Sequence, residues 1–222
     1  MLEVLALPKA AVIAANESGV LVQHGDLYLL ASEPDHAAEF LPQMQQNLTQ
    51  NPGQLVVLHS DELRDTLEHD FGFQTVMECR HAVYFRTEPV PYTLPKGTEI
   101  RLLDCSYADF VHAHYHMVDD SAYIRERLEE GMFGVFVHGA IAGFIGTHEE
   151  RPMGLLEILP EYRRLGLAYV LEAHLINHLL SLGRVPFCQV AVYNEASIRL
   201  QEKLGLVLSD QIIHWLARDR MK

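Results

Sequence analysis

The sequence is short of positive charge and of cysteine. It has 17 Lys and Arg against 30 Asp and Glu, a formal net charge of −13 over 222 residues. Tight nucleic-acid binding needs clustered cations, so this balance argues against a nucleic-acid partner and favours, weakly, a cationic one. The three cysteines, Cys79, Cys105 and Cys188, are too few and too scattered for a disulfide framework or a zinc site. We interpret them as small buried hydrophobes in a reducing compartment.

Long hydrophobic runs are also missing. No apolar stretch reaches the length that crosses a bilayer. The start of the chain, Met1 to Lys9, carries an acidic residue where a secretory signal has basic ones, and no small-residue cleavage site follows a long apolar stretch. We therefore expect a cytoplasmic protein that does not bind membranes.

The composition is that of a folded globular protein, with 49% apolar and 21% charged residues. The length suits one large domain or two small ones, and we prefer two. Three prolines and no apolar periodicity mark Thr87 to Gly97 as a linker. The predicted units are residues 1–88 and residues 98–222.

Strand-like and helix-like stretches alternate in the first unit. Two β-rich stretches, Lys9–Asn16 and Val20–Ala31, flank a turn. They are followed by a helix from Pro34 to a stop at residues 51–53, a strand over residues 54–59, a helix with Ser60 as N-cap, and a strand over residues 74–86. This pattern predicts a small α/β unit.

The second unit reads β-α-α-β-β-β-α-β-α-β-β, with one or two strands at its end. His138-Gly139 is a two-residue turn signal that makes its flanking strands an antiparallel pair. A long amphipathic helix is predicted over residues 165–182. This order predicts an α/β (α+β) domain with a mixed sheet.

The segment from Glu157 to Ala168 carries the strongest chemical signal. A strand halts at Pro160, and a basic turn leads to a helix start that bears Gly166 and Ala168. The first backbone N–H groups of a helix have no internal acceptors, so they and the helix dipole favour a bound phosphate. Gly166 allows a close approach to the backbone, and Arg163 and Arg164 add charged donors.

Two ordered motifs resemble those of the GNAT superfamily of acyl-CoA-dependent N-acyltransferases. Residues 159–168 look like the family's pyrophosphate-binding motif, and residues 194–206 look like its second cofactor motif. The resemblance covers roughly residues 98 to 222. Val185 to Val190, placed before Asn194, is most similar to the glycine N-acyltransferase branch, which also carries an N-terminal α/β unit.

This resemblance implies a mixed, largely antiparallel sheet in which strands 154–160 and 186–192 splay into a V. The gap would take the pantetheine arm of acetyl-CoA or another short acyl-CoA, with no metal. The expected cofactor-binding residues are Ile158, Leu159, Arg163, Arg164, Leu165, Gly166, Leu167, Ala168 and Asn194. Asn194 can alternatively serve as a helix N-cap.

One departure from the family concerns the acid that protonates the leaving thiolate. Many members have a tyrosine where this chain has Gln201, and the glycine N-acyltransferase branch also tends to lack it. Tyr193 and Ser197 are nearby candidates, and a thiolate that takes its proton from water is the other alternative.

The base that deprotonates the attacking amine is expected to be a carboxylate or a histidine. Glu157 is the first candidate, because a carboxylate in an otherwise apolar strand is costly unless it is functional or paired. A solvent-facing Glu157 is an equally good interpretation. Glu149, Glu150 and His148 are alternatives.

Histidines four apart, His112 and His116, suggest a metal pair. No third ligand stands at a recognised spacing, so we predict no metal site. By the family's layout the first helices line the acceptor site, which makes Tyr115, Tyr123 and His116 candidates for acceptor contacts.

The sequence thus predicts an N-acyltransferase that moves a short acyl group to the primary amine of a small molecule or amino acid. A protein or peptide amine is an alternative acceptor, and a CoA-binding module without turnover is an alternative class. The first unit is expected to be a degenerate half-copy of the same fold that binds no cofactor. A homodimer is left open.

Overall fold

The computed structural model describes residues 2–33, 35–50, 55–59 and 61–218. Two compact units share the chain. The first consists of Met1–His81, Val190–Asn194 and Ser209–Lys222, and the second of Ala82–Gln189 and Glu195–Leu208. The predicted linker, residues 87–97, therefore belongs to the second unit, and the end of the chain belongs to the first.

Seven α-helices and eleven β-strands are present in the described residues. In chain order they are α1 (Leu2–Leu5), β1 (Ala10–Asn16), β2 (Gly19–His24), β3 (Leu27–Ser32), α2 (Leu41–Gln50), β4 (Leu55–Leu58), α3 (Arg64–Phe71), β5 (Gln74–Val83), β6 (Thr98–Leu103), α4 (Ala108–His114), α5 (Ser121–Gly131), β7 (Met132–Val137), β8 (Ala140–Thr147), β9 (Met153–Ile158), α6 (Leu167–Ser181), β10 (Phe187–Ala191), α7 (Glu195–Leu204) and β11 (Val207–Ala217).

In the first unit the strand order is β1-β2-β3-β4-β11-β5. β3 and β4 run parallel, while β1 with β2, β2 with β3, and β4 with β11 run antiparallel. The stretch from Val20 to Ala31, predicted as one strand, is a hairpin, because Gly25 at φ = 56° turns the chain back after His24. Parts of two predictions, the helix start at Pro34 with its stop at residues 51–53 and the N-cap at Ser60, lie outside the described residues.

The second unit has the order β10-β9-β8-β7-β6. Its pairs are antiparallel except β9 with β10, so the predicted mixed, largely antiparallel sheet is confirmed. The predicted turn at His138-Gly139 is confirmed as well, with φ values of 50° and 84° at its two residues. From Thr98 the elements follow the predicted order, and one long strand, β11, stands where one or two strands were predicted.

The proline-rich segment of residues 87–97 is bonded to α6 in this unit. Asn177 holds it through both backbone groups of Val90, accepting from its N–H at 2.7 Å and donating to its carbonyl at 2.9 Å. The Tyr92 hydroxyl lies 2.8 Å from His174 Nδ1. These bonds satisfy both backbone groups of Val90 and hold the irregular segment against α6.

The core of the second unit lies between α4, α5 and the sheet. Val111 and Ile124 from the helices pack with Phe144 and Leu155 from the strands, and all four are buried. Helix α6 contacts β7, β8 and β9 and has eight buried residues. None of the helices in the described chain is long and apolar enough to cross a membrane.

Candidate cofactor site

The site begins where β9 ends. Leu159 leads into a 3₁₀ turn, Pro160–Tyr162, and α6 starts after Gly166. Arg164 and Gly166 both have left-handed backbones, with φ values of 65° and 78°. Left-handed residues within such a turn aim successive backbone N–H groups at a common point, which forms a concave anion site.

The N-terminus of α6 leaves its first amides free for a ligand. The Val170 N–H bonds to the Gly166 carbonyl at 3.2 Å, the first bond of the helix. The N–H groups of residues 167–169 precede it, so they have no acceptor within the helix. They lie at the positive end of a 15-residue helix, where an anion is stabilised.

A surface pocket of about 300 Å³ opens at this point. It is lined by α6 with its preceding turn and by α7, through Ile158, Tyr162, Arg163, Arg164, Gly166, Leu167, Ala168, Tyr169, Ala196, Leu200 and Lys203. Three of these described lining residues are cationic and none is acidic, although the chain has a net charge of −13. The local charge is thus opposite to that of the whole protein and complementary to phosphate.

Six of the predicted cofactor residues line this pocket: Ile158, Arg163, Arg164, Gly166, Leu167 and Ala168. Leu159 and Leu165 do not. Leu159 is buried, and its N–H is bonded to the Ala142 carbonyl at 2.9 Å, so it is not available to pair with a pantetheine arm. Leu165 is 54% exposed. Asn194 is exposed immediately before α7, in the segment that groups with the first unit.

The α7 residues that line the pocket lie in the second cofactor motif, but they were not named individually from the sequence. Ala196, Leu200 and Lys203 recur at helical spacing on one face of that helix. The Lys203 ammonium lies 4.9 Å from the centroid of the Tyr169 ring, a cation–π contact across the pocket. The spacing of these three residues in the second motif could have indicated that they share one helix face. Only the fold shows that this face of α7 lies beside α6.

The side chain of Arg163 is already bound. Its Nε donates to the Ile158 carbonyl at 2.9 Å, and Nη2 donates to Glu157 Oε1 at 3.0 Å. The Arg163 side chain therefore stabilises the end of β9, and it would have to leave these partners in order to bind a phosphate. Arg164 and Lys203 form no ion pair with any described carboxylate, which leaves these two as the cations for an anionic ligand.

The strands β9 and β10 diverge as predicted. They pair at Met153 with Cys188, near the amino ends of both strands, and no further pair is formed in the described chain. Toward Ile158, β9 thus has no neighbouring strand on this side, although Arg163 Nε donates to the Ile158 carbonyl. Such an edge beside a pocket can hydrogen-bond an extended ligand in the manner of an added strand.

Glu157, the first candidate base, is neither buried nor unpaired. Its side chain is 29% exposed and forms the ion pair with Arg163. The equally weighted interpretation of a solvent-facing Glu157 agrees better with this geometry. Of the two candidate acids, Tyr193 is 74% exposed and lies in the segment of the first unit, and Ser197 is half-buried on α7.

A second polar cluster lies at the other end of β9. The hydroxyl of Tyr123 on α5 is 2.8 Å from His148 Nδ1, and the Tyr115 and His148 ring centroids are 6.4 Å apart. Burial, and then the nearby Arg127, lowers the pKa of His148 to about 4, so its imidazole is neutral at neutral pH. Burial raises the pKa of Tyr115 to about 12 and also raises that of Tyr123.

Two of the three predicted acceptor-site residues, Tyr115 and Tyr123, are therefore brought together, with His148 between them. His116 is exposed and outside the cluster, and His112 is bound to Asp119 at 3.1 Å. Within the described residues, no three His, Cys, Asp or Glu side chains are grouped so as to hold a metal ion.

Part of the sequence is similar to a known family. Residues 98–206 match the family model of the acetyltransferase (GNAT) family. No curated protein matches the chain in sequence.

Solved structures extend the similarity of fold to nearly the whole chain. A Drosophila protein superimposes with a TM-score of 0.74 at 20% identity, covering 90% of this chain and 74% of its own. A GCN5-related N-acetyltransferase from Kribbella flavida gives a TM-score of 0.62 at 12% identity and 94% and 90% coverage. A tandem GNAT protein from the clavulanic acid biosynthesis pathway gives 0.53 at 15% identity and 96% and 84% coverage. The chain therefore has the fold of the GNAT acetyltransferases, and residues 98–206 are the part of it that matches the family model.

Proposed function

We propose that this protein transfers an acetyl or other short acyl group from acyl-CoA to the primary amine of a small molecule or amino acid. The acyl donor and the amine bind together, and the amine attacks the thioester directly. The observation that carries the proposal is the pocket at the start of α6, with its unbonded amides, left-handed turn and acid-free cationic lining. A pyrophosphate is the group that fits this chemistry.

The same geometry gives the path of the donor. With its pyrophosphate at α6, the pantetheine arm would lie along the edge of β9 that has no neighbouring strand, starting at Ile158. Four extended residues along this edge, roughly 13 Å at the rise of a strand, lead from Ile158 to Gly154. A Cβ built on Gly154 would clash with the imidazole Nε2 of His148, so the His148 ring packs against the strand at this point. The reacting carbonyl would thus meet the Tyr115, Tyr123 and His148 cluster.

The reaction needs one proton acceptor. The neutral amine nitrogen attacks the thioester carbonyl carbon, the carbon–sulfur bond breaks, and the electron pair leaves on the CoA thiolate. The amine proton passes to a base, and the thiolate takes a proton in turn. His148 is our candidate base, because Tyr123 fixes its ring and its imidazole is unprotonated, while its burial also makes it a weaker proton acceptor than a free histidine. Glu157 would first have to leave Arg163.

Two variants separate these bases. His148→Gln should lower kcat by about a hundredfold, within the range of general-base catalysis, with little change in the KM of the acyl donor. Glu157→Gln should lower kcat by less than His148→Gln does. The reverse order would assign the base to Glu157, and equal wild-type rates in both variants would remove a side-chain base from the mechanism.

Thiol release from acetyl-CoA in the presence of a panel of amines tests the function itself. Release that depends on a small primary amine supports the proposal, and glycine in the panel tests the similarity to the glycine N-acyltransferase branch. Release only with peptide amines would support the alternative acceptor. Tight binding of CoA with no amine-dependent release would identify a binding module without turnover.

A further inference from the structure

Two buried polar side chains join the helices that line the cofactor pocket. Glu172 on α6 is 3% exposed and Gln201 on α7 is 2% exposed. Gln201 Nε2 donates to Glu172 Oε1 at 2.9 Å. A carboxyl group this deeply buried must be either protonated or fully paired, since an isolated buried charge is very costly.

The hydrogen bonds show that the pair is incomplete as a carboxylate and an amide. Glu172 Oε2 and Gln201 Oε1 are both buried, and neither has a partner among the described residues. Both atoms are acceptors if Glu172 is ionised, so they cannot satisfy each other. If Oε2 carries a proton, it becomes a donor to the amide oxygen, and all the orphaned groups of the pair are satisfied in a closed ring.

The position of the pair relates it to the pocket. Glu172 lies four residues, one helical turn, after Ala168, which lines the pocket on α6. Gln201 follows Leu200, which lines the pocket on α7. The pair therefore joins α6 to α7 close in sequence to residues that line the pocket on both helices.

We propose that Glu172 is protonated in the folded protein and forms a cyclic acid–amide pair with Gln201, and that this pair holds α6 and α7 at the spacing needed for cofactor binding. The first part rests on the one observed hydrogen bond and on the two buried oxygens that lack a partner among the described residues. The second part rests on the proposed function, because it assumes that the pocket binds CoA.

The electrostatic surroundings agree with a neutral Glu172. Burial raises its pKa to about 7, and the bond from Gln201 offsets this slightly. No charged group contributes to the shift. Strands β7 and β8 have no titratable residue, and Glu157 on β9 is paired with Arg163. The other titratable groups of the two helices are Tyr169, His174 and His178 on α6 and the exposed Glu195, Arg199, Glu202 and Lys203 on α7.

The sign of the pH dependence follows from the raised pKa. Between the ordinary carboxyl pKa of 4.5 and about 7, the folded protein holds a proton that the unfolded chain has lost. Its contribution to the free energy of unfolding is therefore complete below pH 4.5 and is lost as the pH rises through about 7. Glu172→Gln keeps a donor and an acceptor in the pair and has no such dependence.

Thermal unfolding without ligand tests the pair. Glu172→Gln should match the wild type at pH 5 and unfold at a clearly higher temperature at pH 8, while the control Glu202→Gln, which neutralises the exposed neighbour of Gln201, should follow the wild type at both. A Glu172→Gln difference that does not change with pH would overturn the pair. If the variant fails to fold, infrared spectroscopy of the wild type tests the same pair. A band from a buried neutral carboxyl group should be present at pH 6 and absent at pH 9, and its absence at both would overturn the pair.

Titration with coenzyme A tests the positioning role. On going from pH 6 to pH 8.5, the wild type should lose affinity on the order of fivefold relative to Glu172→Gln. Identical pH profiles would show that the pair does not position the pocket. If the wild type binds no CoA at either pH, the proposed function fails, and the unfolding and infrared results still decide whether the pair exists.

Discussion

Each unit contains two parallel strands that are joined through a helix, but the amides near the start of this helix have different partners in the two units. In the first unit, β3 and β4 are parallel strands joined through α2, and they stay paired over four residues. The Ala37 N–H, at the 3₁₀ turn that precedes α2, donates to the Glu62 carboxylate at 2.7 Å. In the second unit, β9 and β10 are parallel strands joined through α6, they separate after one pair, and the first amides of α6 face an open cationic pocket.

The two helix starts therefore differ in what their amides contact. A carboxylate of the protein itself accepts from the Ala37 amide in the first unit. The site proposed in the second unit depends on amides that have no acceptor within the helix and on the gap between the strands. Three substitutions test this contrast.

Gly166→Asp should have the largest effect on the open helix start. The new carboxylate would project from a left-handed position into the pocket and oppose the pyrophosphate, weakening CoA binding by about a hundredfold, or about 3 kcal/mol. Calorimetric titration with CoA measures this. Gly25→Asp is the matched control, because Gly25 in the first unit also has a positive φ and open space around its Cα. Unchanged affinity in Gly166→Asp would remove the site assignment.

Lys203→Gln should weaken CoA binding by about tenfold, or about 1.4 kcal/mol, since it removes one of two cations without a carboxylate partner. The loss should shrink at high salt, because the site is at the surface. Arg199→Gln, on the same helix but outside the pocket and paired with Glu195, is the control and should leave the affinity unchanged. Equal losses of CoA affinity in both variants would indicate that the overall charge of α7, rather than Lys203 in the pocket wall, affects binding.

Glu62→Ala should act on the closed helix start alone. It removes the acceptor of the Ala37 N–H and should lower the free energy of unfolding by about 1 kcal/mol, as the loss of a helix cap does. Urea unfolding measures the change, and the exposed Glu17→Ala gives the baseline for losing a carboxylate in the same unit. CoA affinity should not change. A Glu62→Ala variant with wild-type stability would show that the carboxylate is not a cap.

Much of the second unit could be predicted, because its signals are local. The turn at His138-Gly139, the break at Pro160 and the helix from about residue 165 each depend on backbone preferences of a few residues. The hairpin at Gly25 was not predicted, although Gly25-Asp26 is a two-residue turn signal of the same kind as His138-Gly139. The proline-rich segment was interpreted as a linker, and its bonds to Asn177 and His174 come from residues about eighty positions away.

The candidate site divides in the same way. Gly166, Ala168 and the arginines could be named from the sequence because a strand, a turn and a helix start are consecutive in the chain, and all four line the pocket. Lys203 and Gln201 were visible only as members of a motif, and Glu172 gave no signal at all, because an acidic residue in an amphipathic helix is ordinary. Which side chain faces which neighbour depends on how α6 and α7 pack.

The sequence by itself determined the order of elements, the glycine-containing turn before α6 and the acidic balance of the chain, because these depend on composition and on neighbours along the backbone. The tertiary structure alone decided that Arg163 binds Glu157, that His148 meets Tyr123, and that Glu172 is buried against Gln201. Each of these pairs joins different segments of the chain, so its energy depends on distance and burial, which no linear pattern contains.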